Sequence, residues 1–92
     1  MNTNDKKIRV LFVDDHPATR QGIARMLNDA PDIELVGEAA TGLVAKQKVA
    51  ELRPDVLLLD LILPDVRPYE VDDWVRLNYP ETTTLIITGH QR

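Results

Sequence analysis

The sequence predicts an α/β domain: a parallel sheet with helices on both of its faces. Three observations carry this. Residues 56–59 form an unbroken aliphatic run that enters Asp60 and continues through Leu61-Ile62-Leu63 to Pro64, the pattern of a strand buried on both sides. Residues 8–13 form a second apolar run, and it too ends in acid, at Asp14-Asp15. Between and beyond these runs, strand-like and helix-like stretches alternate as β-α-β-α-β-α-β with short connections. Such alternation gives parallel strands joined by right-handed crossovers.

Taken in order, residues 1–7 are a polar leader and the first strand spans 8–13. The turn Asp14-Asp15-His16-Pro17 follows, and Pro17 suits the first position of a helix, where its missing N–H is not needed. That helix is expected to run through about Asp29, with Ile23, Met26, Leu27 and Ala30 on its buried face, and Pro31-Asp32 closes it. Residues 33–39 alternate more, as an outer strand with one wetter face does.

Thr41 can cap a second helix, with Ala45, Val49 and Leu52 inward and Lys46, Lys48 and Glu51 outward. Arg53-Pro54 ends it, because the residue before proline disfavours helical geometry. The central strand, 56–60, comes next, then a loop from Pro64 to Pro68. Val71, Trp74 and Val75 mark a third helix that stops near Tyr79-Pro80, and the β-branched run 82–88 reads as a fourth strand. No helix follows that strand, which leaves one sheet edge and part of one face open in the expected fold.

Composition narrows the function. A chain of 92 residues, 43% hydrophobic and 28% charged, is one small domain with enough apolar content for a core. A net charge of −4 gives no electrostatic reason to bind nucleic acid or an anionic membrane. There is no cysteine, so disulfides and thiolate metal sites are excluded. No apolar run is long enough to cross a bilayer, and no signal-peptide segment follows the N-terminus. A cytoplasmic location is the expectation.

The chemistry lies in the three aspartates that two buried strands deliver to one sheet edge. Ligands of open parallel sheets bind at that edge. Carboxylates converging there repel unless a cation joins them, and a hard divalent ion with oxygen ligands, Mg²⁺ by availability, is the natural partner. One carboxylate can then act as a nucleophile toward phosphorus. Asp60, the single acid on the most buried strand, is the better candidate, while Asp14 and Asp15 are placed to hold the metal directly or through water. The competing reading makes Asp14 or Asp15 a helix cap and Asp60 a strand end, and composition alone does not choose between them. Thr88, at the end of the last strand, could hydrogen-bond a phosphoryl oxygen. His16 and His90 flank the edge without ligand spacing and read as solvated loop residues.

Val13-Asp14-Asp15-His16-Pro17, the run from Pro54-Asp55 through Asp60 to Pro64, and Leu85-Ile86-Ile87-Thr88 occur together and in this order. The combination resembles the receiver domain of bacterial two-component response regulators. The Asp-Asp-His-Pro turn and the stretch 31–39 are most similar to the LuxR/NarL-type subgroup. The resemblance implies a flavodoxin-like fold over residues 8–92, here incomplete: four strands and three helices, without the fourth helix, fifth strand and fifth helix.

It further implies that Asp60 is the phosphoacceptor for a sensor histidine kinase. Asp14, Asp15, Asp60 and the backbone carbonyl of Ile62 would hold Mg²⁺, with Thr88 as the hydroxyl that follows the phosphoryl group. The sequence departs from the family in having no lysine after Thr88, in carrying Pro68 where glycine is usual, and in having no helix-turn-helix output segment. These departures frame an alternative, a receiver scaffold kept as a non-phosphorylated docking or dimerisation module. A homodimer through the open sheet edge is a further expectation. An aspartyl phosphohydrolase fits less well, because such enzymes place a second acid where this chain has Ile62.

Overall fold

A computed structural model of the chain describes residues 6–87. The elements are β1 (Ile8–Val13), α1 (Pro17–Asp29), β2 (Ile33–Ala39), α2 (Gly42–Leu52), β3 (Val56–Asp60), α3 (Pro68–Asn78) and β4 (Thr83–Ile87). All strand pairs are parallel, in the order β2-β1-β3-β4. The two continuous apolar runs thus become the inner strands, and the alternating β2 becomes an edge, as their patterns require. Receiver-like α/β architecture with helices on both faces is what the sequence predicts, and the structure has it.

Register decides where the acids go. β1 pairs with β3 from Val10 opposite Val56 to Val13 opposite Leu59, so the next residues of the two strands, Asp14 and Asp60, emerge level with one another. On the other side, Val13 pairs with Ala39 after one irregularity that leaves Val36 without a partner opposite β1.

The main core lies under α2 and α3. Leu11, Val13, Leu57 and Leu59 meet Ala45 and Val49 of α2 and Val71 and Val75 of α3, all buried. Burying each of the larger side chains stabilises the fold by about 1.5–3 kcal/mol. Val10 and Phe12, alternating to the opposite face, are buried beneath α1.

Two local expectations need correction. Helix α1 has no fully buried residue: Ile23, Leu27 and Ala30 are half-buried, and Met26 is 66% exposed. Among the described residues α1 is the one helix on its face, so it packs by a narrow stripe and its flank stays in solvent. Pro68 is not a loop residue but the first residue of α3, where its fixed φ is already helical. Trp74 is only partly buried. It packs against the core edge with Tyr79 5.4 Å from its ring centre and the Lys46 ammonium 5.8 Å above it.

Helix α2 ends as the proline demands. Arg53 leaves the helix in the left-handed region at φ 48°, just before Pro54. A non-glycine residue there is strained by about 1–2 kcal/mol. The Arg53 carbonyl accepts from Arg9 Nη1 at 2.8 Å and its guanidinium lies 5.0 Å from the Tyr79 ring, contacts that offset the strain.

Candidate functional site

The level ends of β1 and β3 bring Asp14, Asp15 and Asp60 together. Each offers a carboxylate oxygen, and with one nitrogen of His16 these atoms all lie within 4.8 Å of one another. Asp14 and Asp60 are 2% and 1% exposed. Two buried carboxylates this close are costly without compensation, since each loses several kcal/mol of hydration. The oxygen-rich donor set suits a hard cation. Ligand atoms of an octahedral Mg²⁺ site lie about 3–4 Å apart, given bonds of about 2.1 Å, so the cluster needs little closure to hold one.

The turn after β1 is shaped by its own side chains. Asp14 Oδ1 accepts from the backbone N–H of His16 at 2.7 Å, a local ring that aspartate favours at turns. The same ring swings the His16 imidazole over the acids, with Nδ1 2.9 Å from Asp15 Oδ1 and 3.3 Å from Asp14 Oδ1. His16 is the solvated loop residue expected, its side chain 54% exposed, but it is also a member of the acidic cluster, which its spacing does not indicate. The backbone of Asp14 is fixed from two sides: its N–H donates to the Ala39 carbonyl at 3.0 Å, and its carbonyl accepts from Arg20 Nη1 at 2.9 Å. Arg20 also lies 3.4 Å from Glu38 of β2, tying α1 to the sheet beside the site.

After Asp60 the Leu61 N–H donates to the Ile87 carbonyl at 2.9 Å, and the chain leaves the sheet. Ile62 follows in the loop, 60% exposed. Asp65 then turns back to α2, accepting the Gly42 N–H at Oδ1 (2.8 Å) and the Leu43 N–H at Oδ2 (3.0 Å). The Val44 N–H of that first turn goes to Thr41 Oγ1 at 3.1 Å, the cap expected from the sequence. Partial desolvation works to raise the Asp65 pKa, but the Gly42 and Leu43 N–H groups and the nearby Lys46 outweigh it and hold the carboxyl below its ordinary range. Asp65 was not legible as a site-proximal residue, because its partners lie more than twenty residues away along the chain. Thr88 and His90 lie outside the described residues.

Comparison with known proteins places the chain in a family. The profile of the response regulator receiver domain matches residues 10–92, nearly the whole chain. The chain belongs to this family. The receiver is 42% identical over 82 residues to the response regulator protein VraR of Staphylococcus aureus, a match covering 89% of this chain and 39% of that protein. The receiver thus spans well under half the length of the curated relative.

Among solved structures, the receiver resembles the signal receiver domain of the putative response regulator NarL from Mycobacterium tuberculosis. That match has a TM-score of 0.87 and 36% identity, and it covers 95% of this chain and 70% of that one. A LuxR-family two-component response regulator from Aurantimonas sp. SI85-9A1 gives a TM-score of 0.85 at 34% identity, over 94% of this chain and 61% of that one. Receiver domains of two-component regulators generally bind Mg²⁺ at an acidic pocket, and the acids clustered here have the donor chemistry for it. Among the described residues no helix is long and apolar enough to cross a membrane.

Proposed function

We propose that this receiver is a phosphoacceptor module of a two-component system, in which Asp60 takes a phosphoryl group from the phosphohistidine of a sensor kinase. An Asp60 carboxylate oxygen forms the new bond to phosphorus as the bond from phosphorus to the histidine nitrogen breaks, and the departing imidazole takes up a proton. The observation that carries this reading is the burial of Asp14 and Asp60 side by side at the open end of the inner strands. That placement gives a nucleophile shielded from bulk water, next to a second carboxylate that can hold a cation.

Asp14, Asp15 and Asp60, with the Ile62 carbonyl, are the residues proposed to hold Mg²⁺, and Thr88 is the proposed hydroxyl partner of the phosphoryl group. When bound, Mg²⁺ supplies charge neutralisation for the phosphoryl oxygens. Asp60 provides the attacking oxygen, and the buried strand beneath it fixes its direction. Arg20, through the Asp14 carbonyl, and His16 N–H, through the Asp14 carboxylate, keep the second acid in place.

The test is Mg²⁺ binding followed by calorimetry in the wild type and in Asp14→Ala. The reading expects binding in the wild type and its loss in the variant. Equal binding by both, or none by the folded wild type, would overturn it.

A further inference from the structure

Ile62 poses a problem that the site alone does not solve. Its carbonyl is proposed to face the metal, yet the residue is 60% exposed and the loop that carries it has no regular secondary structure. Something outside Ile62 must fix its peptide plane. At the start of the loop, Leu61 N–H is held by the Ile87 carbonyl. At the other end, Asp65 accepts one N–H of α2 with each of its two carboxylate oxygens. The next residue, Val66, closes over the same helix end. A Cβ on Gly42 would collide with the Val66 side chain, so the loop rests on bare helix backbone there.

We propose that Asp65 is a positioning residue for the metal-binding loop: by clamping that loop to the first turn of α2 it fixes the peptide of Ile62 for Mg²⁺. This rests on the reading of the acidic edge as the Mg²⁺ and phosphoacceptor site. The clamp uses donors that every helix leaves open at its N-terminus. Local capping by Thr41 serves only Val44, and the Gly42 and Leu43 N–H groups are taken by the loop. The arrangement needs a carboxylate, because two separate N–H donors require two acceptor oxygens. An amide would keep one acceptor and turn an NH₂ group toward the other donor.

Calorimetric titration of the 92-residue chain with Mg²⁺ tests this in the wild type, Asp65→Ala, Asp65→Asn and Thr41→Ala. Thr41→Ala is the control, since it removes a cap from the same helix without touching the loop. Asp65→Ala is expected to weaken Mg²⁺ affinity about tenfold, the lower end of what losing an outer support of a metal ligand does. Asp65→Asn is expected to fall between Asp65→Ala and the wild type, and Thr41→Ala to stay within about twofold of the wild type.

Wild-type affinity in Asp65→Ala, or an equal loss in Thr41→Ala, would overturn the proposal while leaving the Mg²⁺ site itself standing. If circular dichroism shows Asp65→Ala unfolded, Asp65→Asn decides, and wild-type affinity in that variant overturns the clamp. A folded wild type that takes up no Mg²⁺ overturns both this proposal and the reading on which it rests.

Discussion

Replacing Asp60 with asparagine is expected to stabilise the metal-free fold while abolishing its response to Mg²⁺. The magnitude follows from the cluster's dimensions. Carboxylate oxygens of Asp14 and Asp60 lie within 4.8 Å of each other. Two unit charges at about 4.8 Å repel by about 3.5 kcal/mol at an effective dielectric constant of about 20. The His16 N–H and imidazole, both on Asp14, take up part of this. Asparagine keeps the shape and removes the charge, so a gain of about 1–3 kcal/mol is expected, or a rise in Tm of about 5–15 °C for a domain of this size.

Urea unfolding in the presence of a chelator measures the gain directly. In excess Mg²⁺ the wild type should recover the difference, because a ligand at one hundred times its Kd stabilises by about 2.7 kcal/mol. The variant should move little. An Asp60→Asn protein no more stable than the wild type in chelator would refute the idea that these acids repel in the empty site.

Two further outcomes follow from the packing and the loop. Leu57→Ala, at a side chain of β3 fully buried against α2 and α3, is expected to destabilise by about 2–5 kcal/mol. Leu77→Ala, 83% exposed, should change stability by under about 0.5 kcal/mol, and equal effects in urea unfolding would contradict the assigned core. The Asp65 carboxyl titrates lower in the folded chain than in the unfolded one. Its contribution is therefore complete above about pH 3.9 and is lost as pH falls through the lower folded value. As an exposed carboxylate it should contribute about 1 kcal/mol or less, so the stability gap between wild type and Asp65→Asn should close below about pH 4.

What could be read in the sequence was whatever depends on local pattern. The runs 8–13 and 56–60 declare themselves as inner strands because burial on both faces leaves no polar position, and the acid that ends each run is then delivered to one edge by topology alone. Pro17 and Thr41 mark helix starts through their own backbone and side-chain chemistry. Pro68 carries the same signal as Pro17, but the turn residues before it extend the loop pattern and hide the helix start.

The features that escaped depend on contacts that spacing does not encode. His16 reaches the acids because Asp14 bends the turn around the His16 N–H. Asp65, in the loop after β3, finds its donors on α2, where Val66 packs against Gly42. Met26 follows the helical period yet faces water, because burial depends on what lies across from a face as well as on its pattern.

The phosphoacceptor role proposed for Asp60 makes a direct demand: the acidic edge must take up one phosphoryl group there. Intact mass after incubation with Mg²⁺ and a small-molecule phosphodonor tests it most directly, with Asp60→Asn and a chelator control alongside. One added phosphoryl group is expected on the wild type, absent from the variant and abolished by the chelator. A folded wild type that gains no mass, or an Asp60→Asn protein that gains the same, would contradict it.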